Sequence, residues 1–511
     1  MTDAEKIAKL ESEVKMLREQ VDLLLRKFYG TSSEKLDPGQ LELLLDPEAA
    51  KKPPAAGPDE GAPAAEEPHQ APGQADPKTR APRRRRPELP EDIEVVEEIV
   101  EPEEVAQAPT GWQRIGQEVS ERLEFEPARV WLKRIVRPTY VKRVRRYASP
   151  PTTAPLAPCV LEGSLLSPSL AAQILTGKYA DHLPYYRQAG IFERRHGVRI
   201  GRNTLCHWSA TCARWLEPLH RLLAAELRSQ AWLGVDETPI EYLAPGHGRT
   251  KLGYLWAYQN PQVGVLYDWH PGRAHGCLDR VLLGRPERGR RFGGTLLTDG
   301  FIAYSTWAAK HGGVTLAACW AHVRRKFHEA AGHYPKEAAP FLEKVGQLFS
   351  IEADLARQRA GPGQVHSTRQ RHSAPIIDSI RAQLTTAANC LPKSTLGKAR
   401  AYTLGLWARL AAFLDDPGIP IHNNGIENAI RPTKLGAKNW LFIGREDTGQ
   451  NSAVLYTMVE NIRAGGGDPF TYLEDVLTRL PAMTNRDDLR PLLPLNWLRR
   501  NSIAPAGSAA A

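Results

Sequence analysis

The chain has 511 residues, a length that exceeds one hydrophobic core and predicts two or three domains joined by linkers. Hydrophobic residues make up 42% of it, which supports folded material, yet no apolar run approaches the roughly 18 residues of a membrane span. The formal net charge is +9, and the six cysteines form no C-x-x-C pair that would indicate a thiol zinc site or a disulfide framework. We therefore expect a soluble intracellular protein with no membrane partner.

Residues 1–46 are predicted to form a coiled coil or another helical N-terminal segment. Apolar side chains recur at alternating steps of three and four, at Ile7, Leu10, Val14, Leu17, Val21, Leu24 and Phe28. In a parallel pair, Lys6 and Glu13 at g positions face e positions occupied by Glu11 and Arg18, so opposite charges match. This pattern predicts a homodimer or a higher oligomer. Because about three heptads make a short coiled coil, a helix packed on its own chain is the alternative.

Two segments of contrasting composition follow. Residues 47–90 consist largely of Ala, Pro, Gly and charged residues, which is typical of a disordered linker. Within residues 91–158, one stretch has no acid and carries eight bases: Arg129, Lys133, Arg134, Arg137, Lys142, Arg143, Arg145 and Arg146. Such a cluster suits phosphate contacts driven by counterion release, although an ordinary solvated basic face has the same composition. Arg143, Arg145 and Arg146 are candidate DNA contacts.

Residues 159–228 are predicted to be helical. A short turn at residues 197–201 separates two helical patterns, and Asn203 and Thr204 can open the second helix. This arrangement resembles a helix-turn-helix whose second helix enters a major groove, with Arg195 and Arg202 as candidate DNA contacts. A helical linker that packs on the next domain is the alternative, because the segment shows nothing base-specific.

Residues 229–440 carry acids at the positions where strands are predicted. Asp236 interrupts the strand-like run AWLGVDETPIEYL, and two further runs, GYLWAYQN and VGVLYDWHP, follow it as a meander. Asp299 ends a fourth run, GGTLLTDGFIAY, and VTLAACWAH predicts a fifth strand. Helical periodicity over about residues 330–415 predicts a helical insertion after that strand.

A third acid, Glu427, lies in HNNGIENAIRP, late in the same segment. Asn423 and Asn424 can cap a helix that begins near Gly425, so this acid is predicted to lie in a first helical turn. Phosphodiester chemistry uses carboxylates of this kind to hold two Mg²⁺ ions about 3.5–4 Å apart.

Several blocks of the chain occur in an order that is far more specific than any one acid: VDETPI, LLTDGFIAY, ACWAHVRRKFHEA, NNGIENAIRPTKLGAKNWLFIG and LYTMVENIRAGGGDPFTYLEDVL. With KFYGTSSEKLDPGQLELL and GKYADHLPYYRQAGIFERRHGV upstream, they resemble the insertion sequence 66 family of bacterial DDE transposases over about residues 10–480, excluding the linker. The resemblance implies an α/β fold with an RNase H-like catalytic core, a mixed five-stranded sheet with helices. It makes residues 441–482 a C-terminal family segment and residues 483–511 a tail.

The resemblance also implies roles and cofactors. By position, Asp236, Asp299 and Glu427 become the catalytic acids, and they hold Mg²⁺ or Mn²⁺. The family usually carries a small zinc module built from two cysteine pairs where this chain has residues 91–158. No cysteine occurs before Cys159, so zinc is not expected, and we predict short strands that keep only their basic surface.

Other polar residues lie close to these blocks. His322 and Arg324 follow the fifth strand and can contact a phosphate or orient a carboxylate, whereas a core histidine that caps a helix is the alternative for His322. Cys319 and His322 have a metal-like spacing, but two lone ligands do not make a site. Glu237 alternates to the opposite side of its strand from Asp236, which argues against it as a ligand.

Three bases follow the third acid and are candidate contacts to DNA phosphate: Arg431, Lys434 and Lys438. Pro432 is expected to interrupt their helix. Whether these bases share a face with Glu427 is therefore left open.

These observations predict a DNA transposase that cleaves transposon ends and joins the 3′-hydroxyl to target DNA by phosphoryl transfer. Double-stranded DNA, at the transposon ends and at the target, is the expected partner, and the family adds two small accessory proteins of the same element. The expected location is the bacterial cytoplasm, in association with the nucleoid. Two alternatives remain, a catalytically silent DNA-binding remnant and a metal-dependent nuclease that cuts without joining.

Overall fold

The computed structural model describes most of the chain from residue 93 onward. The described ranges are 93–107, 109–126, 129–142, 150–284, 290–386, 391–484 and 486–501, with residues 89 and 91 and six N-terminal positions, 10, 11, 14, 17, 18 and 21. The chain divides into two compact units, Met1–Arg86 and Pro87–Ala511. Within the described ranges, no helix combines the length and the apolarity that are needed to cross a bilayer.

The first unit contains the segment predicted as a coiled coil. Its six described residues are all helical. Four of them belong to the predicted heptad seam: Leu10, Val14, Leu17 and Val21. These four side chains are 42% to 60% exposed, so the apolar stripe of the helix is open to a partner. The predicted linker, residues 47–90, lies outside the described residues except for Leu89.

The second unit begins with a small sheet built on a long hairpin. Its elements are β1 (Val95–Ile99), helix α1 (Glu103–Gln107), β2 (Trp112–Glu126), β3 (Arg129–Lys142) and β4 (Thr152–Thr153). β2 and β3 pair antiparallel, β1 lies parallel to β3, and β4 pairs antiparallel with β3. The prediction of short strands is wrong, since β2 and β3 have 15 and 14 residues. β3 is rich in β-branched residues and has two aromatic ones, Trp131 and Tyr140, which favour strand pairing.

Three helices follow: α2 (Pro168–Tyr179), α3 (Tyr185–His196) and α4 (Arg202–Arg228). Gly197 ends α3 in the left-handed conformation with φ 66°, and the turn to α4 lies where the sequence predicts it. At the other end of α4, His220 Nε2 lies 2.7 Å from the backbone oxygen of Tyr267, so this half of the helix packs on the central sheet. The start of α4 is exposed at Arg202.

A six-stranded sheet forms the centre of the second unit. Its strands are β5 (Trp232–Leu243), β6 (Thr250–Asn260), β7 (Gly264–His270), β8 (Thr295–Thr298), β9 (Thr315–Ala318) and β10 (Phe442–Arg445). The order is β7-β6-β5-β8-β9, and β10 pairs with the end of β5. β7, β6 and β5 are antiparallel neighbours, whereas β5, β8 and β9 are parallel. The architecture is therefore a mixed α/β one.

Helices surround this sheet and fill the region predicted as an insertion. They are α5 (Asp279–Leu282), α6 (Ile302–His311), α7 (Trp320–Ala331), α8 (Pro335–Arg357), α9 (Pro362–Thr368), α10 (Ala374–Thr386), α11 (Thr395–Gly405) and α12 (Trp407–Ala411). From α7 onward, they bury a second core, to which Leu297 of β8 and Ala317 and Ala318 of β9 also belong. Buried Arg369 secures this core, because it pairs with Glu352 at 2.7 Å and donates to the backbone oxygens of Phe413 and Asp416 at 2.7 and 3.0 Å.

The C-terminal part contains four helices: α13 (Asn424–Trp440), α14 (Gly449–Ala464), α15 (Pro469–Arg479) and α16 (Pro494–Asn501). α13 continues through Pro432, so the expectation that this proline interrupts the helix is wrong. A proline within a helix removes one backbone hydrogen bond. The buried face of α13, which includes Ile426, Ile430 and Trp440, holds the helix together across that gap.

Helix α14 covers the free edge of β7. Along an edge strand, alternate residues direct their backbone polar groups outward, and those groups need partners when they are buried. Three α14 side chains accept hydrogen bonds from alternate β7 backbone N–H groups: Asn461 from Val265 (2.8 Å), Thr457 from Tyr267 (3.0 Å) and Gln450 from Trp269 (3.0 Å). Asn461 also donates to the backbone oxygen of Val265 at 2.6 Å. The helix thus replaces a neighbouring strand.

Replacing Asn461 with alanine should lower the free energy of unfolding by about 2–4 kcal/mol, because both backbone polar groups of Val265 lose their partner while they stay buried. Urea unfolding followed by circular dichroism measures this loss. The matched control is Asn428→Ala at an exposed position of α13, which should change the free energy by about 0.5 kcal/mol or less. Equal effects of the two substitutions would contradict a role for Asn461 in closing the sheet edge.

Candidate active site

Two of the three predicted acids are brought together by strand register alone. In the parallel pair of β5 and β8, Gly234 lies opposite Leu297, where the paired region ends. Continuing the same register by two residues places Asp236 beside Asp299, on the same face of the sheet. Neighbouring strands lie about 4.8 Å apart, so the two carboxylates meet at the point where β8 ends.

The third acid, Glu427, lies in the first turn of α13, and that helix begins against the same part of β5. The Asn423 side chain donates to the backbone oxygen of Val235 at 3.3 Å, and the Asn423 backbone N–H donates to Cys319 Sγ at 3.2 Å. Gly234 permits this approach, since a Cβ there would clash with Asn423 Oδ1. The helix start is therefore fixed beside Asp236.

The electrostatics show that the acids interact. Burial, followed by the negative charges of Glu237 and Asp299 and then by that of Glu427, raises the pKa of Asp236 to about 7. One Asp299 carboxylate oxygen accepts the backbone N–H of Phe301 at 2.8 Å, which orients the side chain. Three carboxylates from a strand, a strand end and a helix thus share one partly buried region. Such a group of oxygen donors fits a divalent cation that prefers oxygen ligands.

Bases from α7 lie against Glu427. Arg325 donates to Glu427 Oε2 at 3.0 Å, and His322 Nδ1 lies 3.5 Å from Glu427 Oε1. His322 is thus half-buried beside a carboxylate that it can orient. This matches the first alternative that the sequence allowed, and not a histidine in an apolar core. Arg324 is exposed and lines a neighbouring pocket that also includes Phe349. The sequence missed Arg325, although it is adjacent to Arg324 in HVRRK.

Glu237 lies on the other face of β5, as strand alternation predicts. Its carboxylate accepts hydrogen bonds from the Tyr304 hydroxyl and from Arg273, whose Nε lies 2.7 Å away. The Arg273 guanidinium also stacks on Phe301, 3.8 Å from the ring centroid, and it is 41% exposed. Sequence reasoning missed Arg273, because nothing local distinguishes a lone arginine after β7. It adds a fixed positive charge near Asp299.

The continuous helix α13 carries the three predicted phosphate contacts on the face of the catalytic candidate. Glu427, Arg431, Lys434 and Lys438 follow one another at steps of four, three and four, and this spacing places them along one side of a helix. Because the helix continues through Pro432, these bases do share a face with Glu427, a point that the sequence had left open. Arg431 and Lys438 are exposed, whereas Lys434 donates to the backbone oxygen of Pro239 at 2.8 Å.

The remaining DNA candidates lie on two other surfaces. Arg195 and Arg202, at the end of α3 and the start of α4, are both exposed. Arg143, Arg145 and Arg146 lie outside the described residues. Lys142 of β3 lies over the Trp112 ring. The other four basic side chains of β3 are paired with acids: Arg129 with Glu94, Lys133 with Glu98, Arg134 with Glu97 and Glu121, and Arg137 with Glu118. The predicted basic surface is thus neutralised along β3, which the sequence could not show because the acids lie on other strands.

Comparison with known proteins agrees with this arrangement. A family model described as "Transposase IS66 family" matches residues 163–451, and one described as "Transposase C of IS166 homeodomain" matches residues 16–97. Uncharacterized protein y4jD of Sinorhizobium fredii is 34% identical over 429 residues, covering 80% of this chain and 81% of the relative. Uncharacterized protein y4qI of the same organism is 31% identical over 423 residues, covering 79% of this chain and 76% of the relative. The chain belongs to the IS66 family of transposases.

Replacing Asp236 with asparagine should stabilise the metal-free protein at pH 8 but not at pH 4. The pKa of Asp236 is about 7 in the folded state and near 3.8 in the unfolded state, so the folded state binds more protons between these values. Stability therefore falls as pH rises through this window, by on the order of 2–4 kcal/mol in the wild type, and the substitution removes that loss. Chemical unfolding in EDTA measures it.

The matched control is Asp378→Asn, at an exposed position of α10, which should have the same small effect at both pH values. An Asp236→Asn protein that is no more stable than the wild type at pH 8 would contradict a pKa of Asp236 that burial and neighbouring negative charges raise.

Proposed function

We propose that this member of the IS66 family is a DNA transposase of the DDE class whose central sheet is an RNase H-like catalytic core. The observation that carries the proposal is the convergence of Asp236, Asp299 and Glu427. Burial raises the pKa of Asp236 most, and the negative charges of Glu237, Asp299 and Glu427 add to it. The sheet order β7-β6-β5-β8-β9, antiparallel and then parallel, supports the core that the family resemblance implies.

The acids fit a pair of Mg²⁺ or Mn²⁺ ions. All three supply oxygen donors, and Glu427 Oε1 is buried with no hydrogen-bond partner among the described residues. Buried polar atoms are normally hydrogen-bonded, so an unpartnered carboxylate oxygen is a natural position for a cation. When bound, such ions would activate the attacking hydroxyl and stabilise the charge that develops on the leaving oxygen.

The chain's own residues supply the positioning. Strand register orients Asp236 and Asp299, and the docked start of α13 holds Glu427 beside them. The exposed bases Arg431 and Lys438, on the face of Glu427, hold the DNA backbone along α13. Cleavage then frees a 3′-hydroxyl at the transposon end, and the same acids serve its attack on target DNA. Catalysis rests on orientation and charge neutralisation, with no covalent enzyme intermediate.

The proposal includes assembly with other molecules. Double-stranded DNA at the transposon ends and at the target is the substrate. The exposed seam of Leu10, Val14, Leu17 and Val21 supports a homodimer or a higher oligomer through the N-terminal helix. Two small accessory proteins of the same element complete the partners that the family resemblance implies.

Asp236→Asn, Asp299→Asn and Glu427→Gln should each reduce end cleavage and strand transfer by at least about 10³-fold, since each removes a charge that holds the cations. Binding to transposon-end DNA should stay within a few-fold of the wild type, as measured by fluorescence anisotropy. Glu237→Gln is the matched control and should retain substantial activity, because the glutamine oxygen can still accept from Arg273 while its amide nitrogen can donate to the Tyr304 hydroxyl oxygen.

If any of the three acid variants still joins a pre-cut 3′-end to target DNA in Mg²⁺, that acid is not catalytic. End cleavage by the wild type with no strand transfer would identify a nuclease instead. Stable DNA binding with neither reaction would identify a binding remnant.

Replacing Arg143, Arg145 and Arg146 together with alanine should weaken DNA binding for all sequences. It should also reduce the salt slope of log affinity by up to about 3, because each lost phosphate contact removes released counterions. The matched control replaces Arg129, Lys133 and Arg134, which glutamates already neutralise, and should change the slope by less than about 1. Equal salt slopes for the two triple variants would contradict the idea that Arg143, Arg145 and Arg146 contact DNA while the bases of β3 do not.

A further inference from the structure

Two helix starts bring a second set of metal-type donors together beside the catalytic acids. Cys319 immediately precedes α7, His322 lies in its first turn, and Glu427 lies in the first turn of α13. One ligand atom from each residue lies within 4.8 Å of the other two. The pair Cys319 and His322, too small to make a site by itself, thus gains its third ligand from a helix that is distant in sequence.

Two of the donor atoms lack the hydrogen bonds that buried polar atoms normally make. His322 Nδ1 and Glu427 Oε1 are both buried without a hydrogen-bond partner in the part of the chain that the structure describes. Most buried polar atoms have such a partner. The two side chains are 20% and 21% exposed, so solvent ions can reach the cluster. A cation between these atoms would give both of them a partner.

The chemistry of the donors selects the ion. Sulfur and imidazole nitrogen are ligands of zinc and related transition ions, whereas Mg²⁺ takes oxygen ligands. Three protein ligands with a fourth position left open is also a common zinc arrangement. The backbone N–H of Asn423 donates to Cys319 Sγ at 3.2 Å, which orients the sulfur.

We propose that Cys319, His322 and Glu427 form a zinc-binding site, and that zinc bound there inhibits the enzyme by withholding Glu427 from the Mg²⁺ pair. The inhibitory part rests on the proposed function, whereas the binding part stands without it. Arg325 already holds the second oxygen of Glu427 at 3.0 Å, so a zinc ion on the first oxygen leaves no free oxygen for Mg²⁺. The site is separate from the cysteine-paired module expected of the family at residues 91–158, for which zinc is still not expected.

Cobalt(II) titration of the full-length protein tests the binding part. Cobalt is a spectroscopic substitute for zinc, and a cysteine ligand adds a sulfur-to-cobalt charge-transfer band. The wild type should show this band at one equivalent, and Cys319→Ser should lose it together with about tenfold or more of its zinc affinity. Cys159→Ser, the control at a partly exposed cysteine of the same chain, should behave as the wild type. Absence of the band, or its persistence in Cys319→Ser, overturns the site.

The inhibitory part is tested by DNA cleavage in excess Mg²⁺ with zinc added in small amounts. Wild type and Cys159→Ser should lose most of their activity at one equivalent of zinc. Cys319→Ser, measured against its own zinc-free rate, should need about tenfold more. Equal inhibition of all three proteins, or full activity of the zinc-loaded wild type, overturns the inhibition. A wild type with no cleavage at all refutes the proposed function, while the cobalt band still decides the site.

Discussion

The candidate active site depends on one close approach, between the start of α13 and the backbone of β5 at Gly234. Strand register brings Asp236 to Asp299 without any help from the rest of the fold. Glu427 has no such register, and its place is fixed because Asn423 bonds at once to β5 and to the end of β9. Only glycine at position 234 leaves room for that contact. The position of Glu427 therefore depends on the absence of a side chain at Gly234.

The same arrangement creates repulsion that the fold must resist. Burial and neighbouring negative charges oppose ionisation of Asp236, so the site is strained before any cation binds. The surroundings are correspondingly stiff, since α14 closes the β7 edge with side-chain hydrogen bonds and Arg369 locks the helical insertion. Perturbed carboxylates of this kind are typical of functional sites, where stability is given up for chemistry. The C-terminal family segment thus supports the sheet that carries the site.

Local pattern was enough to predict the strands that carry Asp236 and end before Asp299, and the helix that begins close to Gly425. It failed where long-range pairing decides the outcome. The prediction that Pro432 breaks α13 relied on local propensity, which the buried face of the helix overrides. The expectation of a free basic surface along β3 failed because the neutralising acids come from other strands. The contact of Arg273 with Phe301 and the contact of Glu427 with Cys319 and His322 could not be predicted either. The residues in each contact are far apart in sequence, and no local pattern links them.

In the proposed function, helix α13 supplies the acid Glu427 and also contacts DNA phosphates. These two roles limit what the helix can recognise. Lys438 lies eleven positions after Glu427, about 16 Å along the helix axis, so its cationic face follows a DNA backbone that runs into the site. Phosphate contacts fix register and orientation but carry no base information. Recognition of a particular transposon end must therefore come from another element. Among the described helices, α4 starts with exposed Arg202 while its other half is anchored to the sheet through His220. A reading helix held rigidly to the catalytic sheet would set the distance between the recognised bases and the cleaved bond.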